Sequence, residues 1–114
     1  MRRTIVTLAV ALMVSVYSYG YDKTRVDRYI SEAEYYTKQA EKYERDTEYY
    51  AKQVHKYMKD AEYYSKKGND TKAKTYMKWA KDALDKATYR KRKAEDARSK
   101  AQLRMRWVNE EMKK

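Results

Sequence analysis

Few side chains in this sequence have types and spacings that could do chemistry. His55 is the only histidine and there is no Cys. Zinc and haem sites draw on several imidazole or thiolate ligands, so no metal and no cofactor is expected. His55 then reads as a solvated surface side chain. The acidic pairs Asp82/Asp85 and Glu95/Asp96 stand in helix-forming stretches. General acid–base catalysis needs a sheltered cleft that shifts pKa values. No Gly-rich phosphate loop and no Ser/His/Asp constellation is present, so catalytic residues are not expected.

The strongest polar signal is basic. Arg90, Lys91, Arg92 and Lys93 are consecutive, and residues 86–106 carry nine basic and two acidic side chains. Lys86, Arg90, Lys91, Arg92, Lys93, Arg98 and Lys100 are the expected docking patch for an anionic partner. Such a partner would be a phospholipid or lipopolysaccharide headgroup, a cell-wall polymer or an acidic protein. The plainer reading is a solvated helix face with no partner. Nucleic acid would need phosphate contacts of this kind, but the expected export of the chain puts it out of reach.

Aromatic residues form the second signal. The chain holds 14 Tyr, two Trp and no Phe. Tyr21, Tyr35, Tyr49 and Tyr63 recur every fourteen residues, and Trp79 and Trp107 are 28 apart. These six lie off the helical seam described next, so they are expected to serve self-association. The alternative is that they fold over the edges of their own helices, and a sugar-stacking ladder is a weaker third reading.

The elements that must position these groups follow from period. Tyr29, Tyr36, Tyr43, Tyr50, Tyr57 and Tyr64 recur every seven residues. Three residues before each is Val26, Ala33, Ala40, Thr47, Val54 or Ala61. Alternating steps of three and four make the a/d seam of a coiled coil. Position e adds Ile30, Ala51 and Met58 and widens the apolar stripe. Glu34–Lys38, Glu41–Arg45, Glu48–Lys52 and Glu62–Lys66 are i,i+4 pairs in the favourable order, each worth about 0.2–0.5 kcal/mol. A two-heptad unit repeats as AEYYTKQ, TEYYAKQ and AEYYSKK.

Pro is absent, and Gly68 is the only Gly after residue 20. A turn is therefore expected at 68–70, with Gly68 left-handed after a first helix over 22–67. Asn69 or Asp70 would cap a second helix over 71–113. There Ala73, Ala80, Ala87, Ala94 and Ala101 recur every seven residues, followed by Val108. Folding about the turn sets Tyr64 opposite Ala73, Tyr57 opposite Ala80, Tyr50 opposite Ala87, Tyr43 opposite Ala94, Tyr36 opposite Ala101 and Tyr29 opposite Val108. Large opposite small lets the layers interdigitate. Arg90 and Arg104 fall in the seam opposite Thr47 and Ala33, with Asp46, Glu48, Glu32 and Glu34 alongside to pair their heads. The expected fold is all-α: a long antiparallel two-helix hairpin over 21–114. Gly68, Ala73, Met77 and Ala80 resemble the turn and second helix of a tetratricopeptide repeat over 68–84. The flanking helices are longer than that unit, so the likeness is one of turn chemistry.

Residues 1–20 read as a secretory signal peptide. Arg2 and Arg3 precede an apolar run from Ile5 to Val16, too short to span a bilayer, which takes about 20 residues. Cleavage is expected after Gly20, with Ser18 nearly as good, leaving a periplasmic or extracellular chain without a transmembrane span. The net charge of +11 is lopsided. Residues 22–67 are almost balanced, and residues 68–114 carry most of the excess. The expected function is that of an exported, non-enzymatic coiled-coil protein of the cell envelope, acting by protein–protein contact and self-association. Two alternatives are a holdase-type chaperone, which the chain resembles only in outline to small periplasmic chaperones, and a cationic membrane-surface binder.

Overall fold

The structure is a computed structural model that describes residues 22–114; the expected signal peptide, both cleavage positions and Tyr21 lie outside the described residues. Two helices pack against each other as a hairpin, and 94% of the described residues are helical. Helix α1 is Lys23–Lys66 and α2 is Asp70–Met112.

The helix boundaries follow from capping. Asp22 does not join α1; its Oδ1 accepts the Arg25 N–H at 3.1 Å and caps the helix from outside. At the other end the Asn69 N–H donates to the Tyr64 carbonyl at 2.9 Å and the Gly68 N–H to Ser65 at 3.1 Å. This pair of bonds is the Schellman motif, which needs a left-handed residue at C′. Gly68 supplies it, with φ of 78°. Asn69 then caps α2: its Oδ1 accepts the Lys72 N–H at 3.1 Å. Because one residue closes one helix and opens the next, the turn is one residue earlier than the expected 68–70. Asp70 becomes the first residue of α2, where its charge complements the helix dipole.

The hairpin divides into two compact units. One is the turn unit, Lys42–Lys93; the other, the terminal unit, joins residues 22–41 to Ala94–Lys114. In the turn unit the fully buried residues are small: Ala61, Ala80, Ala83 and Ala87. Tyr50, Tyr57 and Tyr64 are half-buried beside them. Tyr64 stacks on Tyr76 at 5.5 Å with the planes 2° apart, and Trp79 meets both Tyr76 and Tyr57 edge-on.

The terminal unit buries more. Val26, Val108 and Met112 form a cluster with Tyr29 and Ile30 packed against it. Ala33, Ala40, Ala94, Ala97 and Ala101 are also buried. Thr37, at position e, is 4% exposed. Its hydroxyl donates to the Ala33 carbonyl at 2.8 Å, which satisfies the only polar group it would otherwise bury bare.

The widened stripe at position e needs correcting. Ile30 and Thr37 are covered in the terminal unit, but Ala51 and Met58 in the turn unit are exposed. A side chain beside the seam is buried only if the facing helix supplies bulk there, and in the turn unit Met77 and Leu84 also stay exposed.

Candidate functional site

The basic cluster does not behave as one free patch. In the turn unit, Lys86 Nζ is 5.7 Å from the Tyr50 ring centre, and the Arg90 guanidinium lies over both Tyr50 and Tyr89. Lys93 Nζ also lies over the Tyr89 ring, at 5.4 Å. Cation and ring attract because the ring face is the negative end of its quadrupole. Arg90 is the seam arginine expected to pair with an acid, and its Nε is 3.6 Å from Asp46 Oδ2. That separation leaves a charge pair but no hydrogen bond, and this buried nitrogen has no other partner. Lys91 and Arg92 are exposed.

Arg98 and Lys100 belong to the terminal unit. Arg98 is half-buried. Lys100 pairs with Asp96 at 3.3 Å and lies over the Tyr36 ring. The second seam arginine is better held than Arg90. Arg104 Nε donates to Glu32 Oε1 at 3.0 Å while its guanidinium covers Tyr36 and Trp107. Of the four expected pairs along α1, Glu62–Lys66 forms at 3.0 Å.

The aromatic line has a common construction. Tyr35 meets Tyr36 edge-on at 5.3 Å, Tyr49 meets Tyr50 at 5.2 Å and Tyr63 meets Tyr64 at 5.1 Å. In each Tyr-Tyr pair the seam ring braces its neighbour, which stays between 56% and 59% exposed. The two tryptophans part company. Trp107 is half-buried, edge-on to Tyr29 at 5.3 Å and roofed by Arg104 at 4.4 Å. It folds over its own helix pair. Trp79 is 45% exposed.

Two grooves flank the seam in the turn unit. One, of about 500 Å³, is lined by Tyr49, Tyr50, Gln53, Tyr57, Trp79, Asp82, Ala83 and Lys86. The other, of about 800 Å³, has Met58, Met77, Ala61 and Ala73 in its lining together with His55, Glu62 and Lys74. This second groove does not appear in the sequence reading. Its signals were the exposed e-position Met58 and the Met that follows Ala73 by four residues. Among the described residues no cluster of His, Cys, Asp or Glu is placed to hold a metal ion. No helix among them is long and apolar enough to cross a membrane.

Sequence reasoning also passed over Glu111, which is 7% exposed. Lys114 hydrogen-bonds it at 3.0 Å and Arg25 stands 3.5 Å away. The Lys114 bond, helped by the charges of Lys114 and Arg25, holds its carboxyl below the ordinary value of 4.5 against the opposing effect of burial. Its seam position, three residues after Val108 and facing the turn that holds Arg25, was the available signal.

Compared with protein-family models, curated proteins and solved structures, the chain matches none of them.

Proposed function

We propose that the protein is an exported, non-catalytic coiled-coil component of the cell envelope. It works by contact: it self-associates through exposed aromatics and docks an anionic envelope component through its basic half. The observation that carries this reading is the set of braced, outward rings. Tyr35, Tyr49 and Tyr63 are each more than half exposed although a neighbouring ring holds each one in place. A rigid aromatic loses little conformational entropy on contact, which is why such side chains concentrate in interfaces. A hairpin of two helices offers reaction chemistry no enclosed cleft, while its open faces suit association.

Sedimentation equilibrium of the full chain tests it. A discrete oligomer is expected for the native protein, and a monomer for the Tyr35→Ser/Tyr49→Ser/Tyr63→Ser variant. A monomeric native protein over the whole concentration range would remove self-association from the proposal. N-terminal sequencing of the protein recovered outside the cytoplasm checks export and locates the cleavage.

A second reading draws on the methionine-lipped groove. Met58 and Met77 are both about half exposed, and unbranched thioether side chains adapt to varied apolar partners. A holdase-type chaperone would use such a surface. Suppressed aggregation of an unfolded client, lost on Met58→Gln/Met77→Gln, would favour this reading over the first.

A further inference from the structure

The groove bounded by Trp79 and Lys86 has a composition that neither self-association nor a plain charge patch requires. Its apolar walls are rings: Trp79, Tyr49, Tyr50 and Tyr57. Trp79 and Tyr49 remain 45% and 59% exposed, so these surfaces are open to a ligand. Gln53 and Asp82, an amide and a carboxylate, also line it. At one end the Lys86 ammonium is held over Tyr50 at 5.7 Å. A ligand pocket with aromatic walls and a few convergent polar groups selects by what those groups can bond.

We infer that this groove binds an acidic polysaccharide, with a hexose ring on Trp79 and Tyr57 and the polymer's carboxylate or other anion at Lys86. A hexose has apolar C–H faces and a hydroxyl rim. The faces suit the rings, and the rim suits Asp82 as acceptor and Gln53 as donor and acceptor. The cations continue along the same helix face. Lys86 and Lys93 are seven residues after Trp79 and Lys86 respectively, a rise of about 10.5 Å per step, roughly two hexose lengths. Charge at that interval fits a polymer with recurring anionic groups. This inference rests on the anionic-docking part of the proposed function and narrows its partner to one class.

The test uses the full chain carrying Trp107→Phe, which leaves Trp79 as the only indole of the two tryptophans. Emission from Trp79 is followed during titration with polygalacturonate, dextran, polyglutamate and oligothymidylate. Polygalacturonate is expected to shift the emission and to bind about ten-fold more tightly than dextran, which lacks the anion, and polyglutamate, which lacks the ring. Lys86→Gln and Trp79→Ala are each expected to weaken it about ten-fold. Because Trp79→Ala is silent in emission, its binding is read by calorimetry, with circular dichroism confirming the fold. Equal binding of polyglutamate with unchanged Trp79 emission would overturn the saccharide site and leave general anionic docking standing. Tighter binding of oligothymidylate would overturn it in favour of single-stranded nucleic acid. Binding of no polyanion would remove both the site and the docking reading, without touching self-association.

Discussion

The two units are built from one heptad pattern yet finish differently. The terminal unit closes its seam with branched and long apolar side chains, Val26, Val108 and Met112, and satisfies the polar groups it buries. In the turn unit the buried seam residues are alanines, with Tyr50, Tyr57, Tyr64 and Tyr76 half-buried beside them, and several large side chains stand outside: Met58, Met77, Trp79, Leu84, Tyr49, Tyr63 and Tyr89. The seam arginines repeat the contrast. Arg104 is hydrogen-bonded to Glu32, whereas Arg90 keeps a buried Nε without a hydrogen bond. The same repeat therefore yields a stabilising end and an end with surface to offer.

Substitutions can break this contrast. The largest effect is expected from Val26→Asp, since Val26 is fully buried. An unpaired charge there costs about 3 kcal/mol or more. Amide exchange should show lost protection in the terminal unit first. Tyr76→Ala is the counterpart in the turn unit. It removes the ring that stacks on Tyr64 and touches Tyr57 and Trp79, for about 2–3 kcal/mol in thermal unfolding. If Tyr76→Ala proves neutral, the aromatic cluster is surface decoration and the turn unit rests on its alanines. At Gly68 an added Cβ would meet nothing within 4 Å, so Gly68→Ala reports backbone strain alone. It is expected to cost about 1–2 kcal/mol, and Gly68→Asn less.

A pH prediction concerns the terminal unit only. The folded Glu111 carboxyl titrates below its ordinary 4.5, so the folded state favours its ionised form. Its contribution is complete above the ordinary value and is lost as pH falls through the folded one. Terminal-unit protection should weaken on acidification below the ordinary value of 4.5, and Glu111→Gln should flatten that response. An unchanged profile in Glu111→Gln would mean that other carboxylates carry the acid sensitivity. The smallest stability effect is expected at the exposed Met58. Met58→Gln should shift unfolding by no more than about 0.5 kcal/mol, while altering any client binding at the groove.

Much of the fold was legible in the sequence. The seven-residue period placed Tyr50 and Ala87 on the seam, and one glycine in a chain without proline left one place to turn. The acids beside Thr47 and Ala33 foretold Asp46–Arg90 and Glu32–Arg104. Less of the candidate site could be read. Trp79 and Trp107 occupy the same heptad position, so no periodic argument could tell that one would be roofed by an arginine and the other left open. Ile30, Ala51 and Met58 likewise share position e and differ in burial. The run Arg90–Lys93 looked like a single patch, but Arg90 lies over Tyr50 and Tyr89 beside Asp46 and Lys93 lies over Tyr89, while Lys91 and Arg92 are exposed.

The sequence by itself determined what depends on neighbours along the chain: helix period, capping at Asn69, the left-handed Gly68, and which residues face the seam. These are settled by spacings of three, four and seven and by backbone hydrogen bonds within a few residues. Tertiary structure decided what lies beside the seam. Whether Met58 or Trp79 is covered depends on the bulk that the opposite helix presents at that level, and helical period carries no information about that.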